Sequence, residues 1–168
     1  VDLKSFLKKS SWPRDILIGA LIIAGVIAYQ NRNLLDDDGS IQISPQNFVQ
    51  LNGDMYSLQP SDKKTLIYFF APWCTVCKMS ISNLDVVDTK NYNVVRIALD
   101  YQSVEEIEAF AKDAEVEGTI LLGGLPHKQR FNITGYPTYY ILNEDLQVIK
   151  RDMGYSTSLG LSFRTLAL

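Results

Sequence analysis

The sequence predicts an α/β domain preceded by an apolar segment, and three observations carry that reading. Residues 65–70 (TLIYFF) form an unbroken apolar and aromatic run, the pattern of a strand buried on both faces as in the middle of a parallel sheet. Val104, Ile107, Phe110, Ala111 and Ala114 recur at helical spacing and mark an amphipathic helix. Residues 16–29 (ILIGALIIAGVIAY) contain no charge and make up the only long apolar run.

A chain of 168 residues accommodates one domain with a proper core and a tail. Residues 1–32 carry five Lys/Arg against two Asp, and residues 33–168 carry eleven against seventeen Asp/Glu. The acidic remainder argues against a nucleic-acid partner, which calls for a basic face. At 14 residues the apolar run is shorter than the about 20 that a membrane span wants. Trp12 and Tyr29 flank it as interfacial aromatics would, and Arg14 and Asp15 can snorkel. We therefore read it as an uncleaved N-terminal transmembrane helix, with a cleaved signal or a buried helix as alternatives. The chain opens on Val1 rather than Met, so its start reads as trimmed. Lys4, Lys8, Lys9 and Arg14 precede the run and Asp36, Asp37 and Asp38 follow it, which orients the N-terminus inward and the rest outward. The expected organisation is a cytoplasmic tail and anchor over residues 1–30, a polar linker over 31–40 and a folded domain over 41–168.

Within that domain, 47–51 and 54–58 flank Asn52-Gly53, a dipeptide suited to a hairpin turn. After the 65–70 strand, a helix is expected from Cys74 to about residue 88, with Cys77, Ile81 and Leu84 on one face. Residues 93–99 read as a second central strand, and Ser103 with Glu106 forms a capping box for the amphipathic helix. A short strand at 119–122 and a brief helix from Pro126 to 131 come next. Strands 138–142 and 146–151 form a second hairpin, and from Ser158 a last helix packs through Leu159, Phe163 and Leu166.

Cys74 and Cys77 are the only cysteines. Three residues apart, they can close a small disulfide ring if a helix starts at Cys74. A helix N-terminus favours a thiolate, the attacking species of dithiol chemistry. A structural zinc site needs about four ligands, and beyond the cysteines the chain offers His127 alone. Haem attachment would need a histidine where Lys78 stands. An inert structural disulfide would close so short a loop that it removes little unfolded-chain entropy.

Residues 71–78 (APWCTVCK) resemble the W-C-x-x-C-K motif of the thioredoxin superfamily, and Gly135-Tyr136-Pro137-Thr138 resembles its second signature, a cis proline. Residues 48–58 and 100–137 resemble the membrane-tethered TlpA/ResA branch. The resemblance implies a thioredoxin-like fold, a central mixed β-sheet flanked by helices with an extra N-terminal β-hairpin. It implies that Cys74 attacks and Cys77 resolves the mixed disulfide, that Trp73 covers the site, and that substrate pairs with the backbone of Tyr136 beside Pro137. No cofactor and no metal are implied. Two positions depart from the family pattern. Tyr68 stands where thioredoxin has a buried aspartate, and Ser80 where ResA-type reductases have a glutamate, so neither carboxylate serves the proton of Cys77. The uncharged Thr75-Val76 pair favours the reducing direction. The expected activity is that of a membrane-tethered thiol:disulfide oxidoreductase, at the inner (cytoplasmic) membrane with its domain facing the periplasm or cell exterior. Its partners would be exported protein thiols or disulfides and a membrane electron-donor protein. The alternative is a copper-handling or assembly factor with Cys74 and Cys77 as soft ligands and His127 as a third.

Overall fold

The computed structural model describes residues 12–166. In chain order its elements are α1 (Trp12–Asn31), β1 (Gln46–Gln50), β2 (Met55–Leu58), β3 (Lys64–Phe70), α2 (Thr75–Ser80) running into a 3-10 helix (Ile81–Val86), β4 (Tyr92–Ala98), α3 (Val104–Asp113), β5 (Ile120–Leu122), α4 (Leu125–Arg130), β6 (Thr138–Leu142), β7 (Val148–Met153) and α5 (Ser158–Leu166). The strands form one sheet in the order β2-β1-β5-β4-β3-β6-β7. Strands β3, β4 and β5 run parallel, and every other pairing is antiparallel. The fold is thus α/β with a mixed sheet and an N-terminal hairpin, whose turn uses Gly53 at φ 88°.

Strand β3 organises both layers because successive side chains leave it on opposite faces. Leu66, Tyr68 and Phe70 join Cys77, Ile81, Leu84 and Phe110 on one side. Ile67 and Phe69 join Phe48, Phe131, Tyr140 and Leu142 on the other. Each such apolar side chain contributes about 1.5–3 kcal/mol relative to exposure. A reactive group at the end of β3 therefore stands on a rigid support.

Three local expectations are corrected. The helix after Cys74 does not run on to residue 88 as one α-helix: the Ser80 hydroxyl donates to the Val76 carbonyl (2.9 Å), and the next turn tightens into the 3-10 helix. Such back-bonding by a serine bends helices. Cys77, Ile81 and Leu84 are nonetheless all buried. At α3, Ser103 makes no capping bond with its side chain, and Glu106 accepts instead from the backbone N–H of Gln102 (3.0 Å). On α5 the stripe of Leu159, Phe163 and Leu166 is exposed and Leu161 is the buried contact. Polar ties set that rotation, Ser158 to Asn83 and Arg164 to Asp152.

The chain divides into two compact units at Asn33 and Leu34. In the first, α1 exposes Ile16, Leu17, Ile18, Leu21, Ile22, Ile23, Val26 and Tyr29. Among the described residues, no helix is long and apolar enough to cross a membrane, which corrects the expected transmembrane helix. Its apolar run of 14 residues rises about 21 Å, against a hydrocarbon core of about 30 Å. In the second unit, packing begins at Leu34, which is buried. Arg151 donates to the carbonyls of Leu34 and Leu35 and pairs with Asp36 and Asp37. Residues 39–43 then run antiparallel along 146–148, through Gly39 to Val148, Val148 to Ile41 and Ile43 to Leu146.

Candidate active site

Strand β3 delivers the chain into Ala71-Pro72-Trp73, and the Cys74 N–H donates to the Ala71 carbonyl (3.0 Å), turning the backbone into α2. Cys74 is the N-cap, in extended conformation, and its Sγ accepts the backbone N–H of Cys77 at 3.1 Å. Cys74 and Cys77 form a disulfide, with Cα atoms 5.2 Å apart. Cys77 is fully buried, whereas Cys74 keeps 8% of its surface. The more accessible sulfur is therefore the one that receives an N–H donor. A donor to sulfur favours the thiolate over the thiol.

In front of the disulfide, Asp100 follows β4 at φ 51°, a left-handed conformation that aspartate tolerates better than most residues. Its carbonyl accepts the Trp73 indole N–H (3.0 Å). Its carboxylate accepts the Tyr136 hydroxyl (2.9 Å) and pairs with the Lys128 ammonium. Trp73, 65% exposed, meets the Tyr136 ring edge to face at 5.7 Å. The Tyr136–Pro137 peptide bond is cis. Burial works against ionisation of Asp100, but the bonds from Lys128 and Tyr136 outweigh it and hold the carboxyl below its usual range. Burial, then the neighbouring Asp100, pushes the Tyr136 phenol well above its usual range. A cleft of about 440 Å³ opens beside Trp73, lined also by Asp100, Glu106, Phe110 and the Lys78–Asp113 pair. A cleft of about 490 Å³ lies elsewhere, between Gln50, Glu108 and Ile120, and contains neither cysteine. The smaller cleft is not lined by a cysteine either, but it adjoins the site through Trp73 and Asp100.

Behind Cys77 the groups in hydrogen-bonding reach are hydroxyls, while the buried Arg96 guanidinium acts on Tyr68 through its charge. The Tyr68 hydroxyl lies 3.1 Å from the Cys77 carbonyl and 3.0 Å from Ser80 Oγ. With Ser80 donating to Val76, one consistent arrangement is a chain from Tyr68 to Ser80 to Val76. The hydroxyl of Tyr139, whose ring meets Tyr68 edge to face at 4.9 Å, is buried close to Ser80 and Ser156, with no hydrogen bond of normal geometry among the described residues. Burial, reinforced by Tyr139, drives the Tyr68 phenol far above its usual range, so it stays protonated. His127 is committed elsewhere: its Nδ1 accepts the Gly124 N–H (3.0 Å) and its ring stacks on Phe48 at 4.5 Å. Burial, with Arg130 nearby, lowers its pKa and keeps it neutral. Among the described residues, no group of three or more His, Cys, Asp or Glu is placed to hold a metal ion.

The thioredoxin family model matches residues 43–122, a span that includes β3, both cysteines and β4. The thioredoxin-like protein YneN of Bacillus subtilis is 28% identical over 143 residues, covering 76% of this chain and 83% of that protein. Over residues 43–122 the chain is similar to the thioredoxin family. The crystal structure of StoA from Bacillus subtilis superposes with a TM-score of 0.65 at 23% identity, covering 73% of this chain and 96% of that one. A secreted Mycobacterium tuberculosis disulfide oxidoreductase homologous to Escherichia coli DsbE gives 0.63 at 21% identity, with coverage of 73% and 96%. These two likenesses show the fold. The family match, together with the Cys74–Cys77 disulfide, agrees with thiol:disulfide chemistry at this site.

The superfamily motifs account for Trp73, Cys74, Cys77, Tyr136 and Pro137, and the fold brings the Trp73 and Tyr136 rings together. Sequence reasoning missed Asp100 and Lys128, which join these two segments from β4 and α4. It noticed Tyr68 and Ser80 only as two separate departures from the family pattern, yet they touch each other. Two missing carboxylates, each replaced by a hydroxyl, were the available signal for that contact.

Proposed function

We propose that this enzyme is attached to a membrane and reduces disulfides of exported proteins, with Cys74 as nucleophile and Cys77 as resolving thiol. The observation that carries the proposal is the Cys77 N–H on Cys74 Sγ, at the more exposed of the two sulfurs. In the reducing cycle, the Cys74 thiolate attacks one sulfur of a substrate disulfide and forms a mixed disulfide, and the other substrate sulfur leaves as a thiolate that takes up a proton. The Cys77 thiol then gives up its proton and attacks Cys74 Sγ. The second substrate thiolate leaves and is protonated, and the Cys74–Cys77 disulfide results. The substrate is reduced by two electrons and the enzyme oxidised by two.

Trp73, Tyr136 and Pro137 form the substrate-binding edge in this reading, with the substrate strand lying along the Tyr136 backbone. The uncharged Thr75-Val76 supports the reducing direction. The exposed apolar face of α1, with Lys4, Lys8 and Lys9 before it in sequence, supports attachment of residues 1–30 to a membrane surface. A membrane electron-donor protein would return the pair to the dithiol.

The test is trapping in the exported compartment. Cys77→Ala retains attack and lacks resolution, so reductant-sensitive adducts with substrates accumulate through Cys74, while Cys74→Ala traps little. Equal trapping by both variants would overturn the division of labour. Direction is tested by the potential of the pair, where a value near the roughly −120 mV of strong oxidants would reverse it.

A further inference from the structure

The structure assigns Asp100 as a positioning residue for substrate: by clasping Lys128 of α4 and Tyr136 of the cis-proline segment, it fixes the Trp73–Tyr136 ring pair as a rigid wall beside Cys74. This inference rests on the reading that substrate lies along the Tyr136 backbone.

Three segments far apart in sequence meet at this residue. Trp73 comes from the turn after β3, Lys128 from α4 and Tyr136 from the loop before β6, and each makes a direct bond to Asp100. Its left-handed backbone points carbonyl and carboxylate in the directions these partners need. That conformation is disfavoured for most side chains, and the contacts hold it. The Lys128 ammonium also lies 5.8 Å from the Tyr136 ring centroid, so the lysine touches the same wall from a second side. Without the clasp, Trp73 would keep its bond to the Asp100 carbonyl, but the phenol of Tyr136 would lose its acceptor and the ring against which Trp73 stands would lose its fixed position. An exposed indole held this way presents a fixed surface to an incoming peptide, and the peptide need not order it on binding. The 440 Å³ cleft that Trp73 and Asp100 both line adjoins this wall.

The test uses the full chain in its reduced form, mixed with excess of a peptide carrying one intramolecular disulfide, quenched in acid and read by mass. Half-saturating peptide concentration and limiting rate are obtained separately. Asp100→Gly accepts the left-handed backbone and keeps the carbonyl for Trp73 while deleting the carboxylate. Lys128→Met opens the clasp from the other side and carries the test if the glycine variant fails to fold. Each raises the half-saturating concentration roughly 10-fold, with a much smaller change in limiting rate. Asp100→Asn, which keeps an acceptor for Tyr136 and tolerates the same backbone, recovers most of the loss. Wild-type half-saturation in both Asp100→Gly and Lys128→Met, or a loss confined to the limiting rate, overturns the assignment. A parallel Cys74→Ala sample separates the two readings: if wild type reacts no faster than this variant, the enzyme reading itself has failed.

Discussion

Behind Cys77 the chain places neutral hydroxyls, those of Tyr68, Ser80 and Tyr139, whereas in front of Cys74 it places a carboxylate, an ammonium and two accessible rings. The buried flank is dry, and an ionised group there would cost several kcal/mol unless paired. The outer flank meets water, where a charge pair is cheap to maintain and adds little to stability but much to geometry. The contrast separates two tasks: the rear holds the resolving cysteine in the core, and the front shapes what reaches the attacking one.

The comparison is broken hardest from behind. Tyr68→Ala empties a fully buried ring position under Cys77, and unfolding by denaturant should show a loss of about 3–5 kcal/mol. Ser80→Asp places a carboxyl in the same buried spot. Burial raises a carboxyl pKa, so the folded variant binds its proton more tightly than the unfolded chain does. Its stability relative to wild type should fall as pH rises from about 4 through the raised folded value, and melting curves across that range read the slope. A pH-independent difference would mean that the new group reaches water.

Tyr68→Phe sharpens the comparison by removing only the hydroxyl. A cost of about 1 kcal/mol is expected, since Ser80 loses one partner while the ring contacts survive. At the front, Trp73→Ala should change stability by about 0.5 kcal/mol or less, because the ring is largely exposed. The same substitution should weaken peptide turnover far more than it weakens the fold, measured by half-saturation in the exchange assay. A front variant as destabilising as Tyr68→Ala would erase the distinction.

Much of this was legible in the sequence, for identifiable reasons. Strand β3 declared itself because a strand buried on both faces needs apolar residues at every position, and residues 65–70 supply them. The Asn52-Gly53 turn declared itself because a left-handed residue there nearly requires glycine. The break at Ser80 was hidden, since its hydroxyl is placed by Tyr68, twelve residues away on another element. Periodicity found the stripe on α5 but gave no means of knowing that polar ties to Asn83 and Asp152 would turn Leu161 inward instead. Asp100 read as one more acidic residue at a strand end. Its role depends on Lys128 and Tyr136, 28 and 36 positions further along, and no local pattern encodes such a meeting.

The segment at 39–43, laid along the outer side of 146–148, has a consequence for how copies of this protein behave toward one another. A seven-stranded sheet has two edges whose unpaired N–H and C=O groups can recruit strands from neighbouring molecules. Here one edge is capped at its start by the chain's own preceding segment and carries Lys150, Arg151 and Asp152 over the remainder of β7. The opposite edge, β2, is only four residues long. Both ends of the sheet are thus poor templates for a foreign strand, and the molecule can be crowded together without its sheets joining into aggregates.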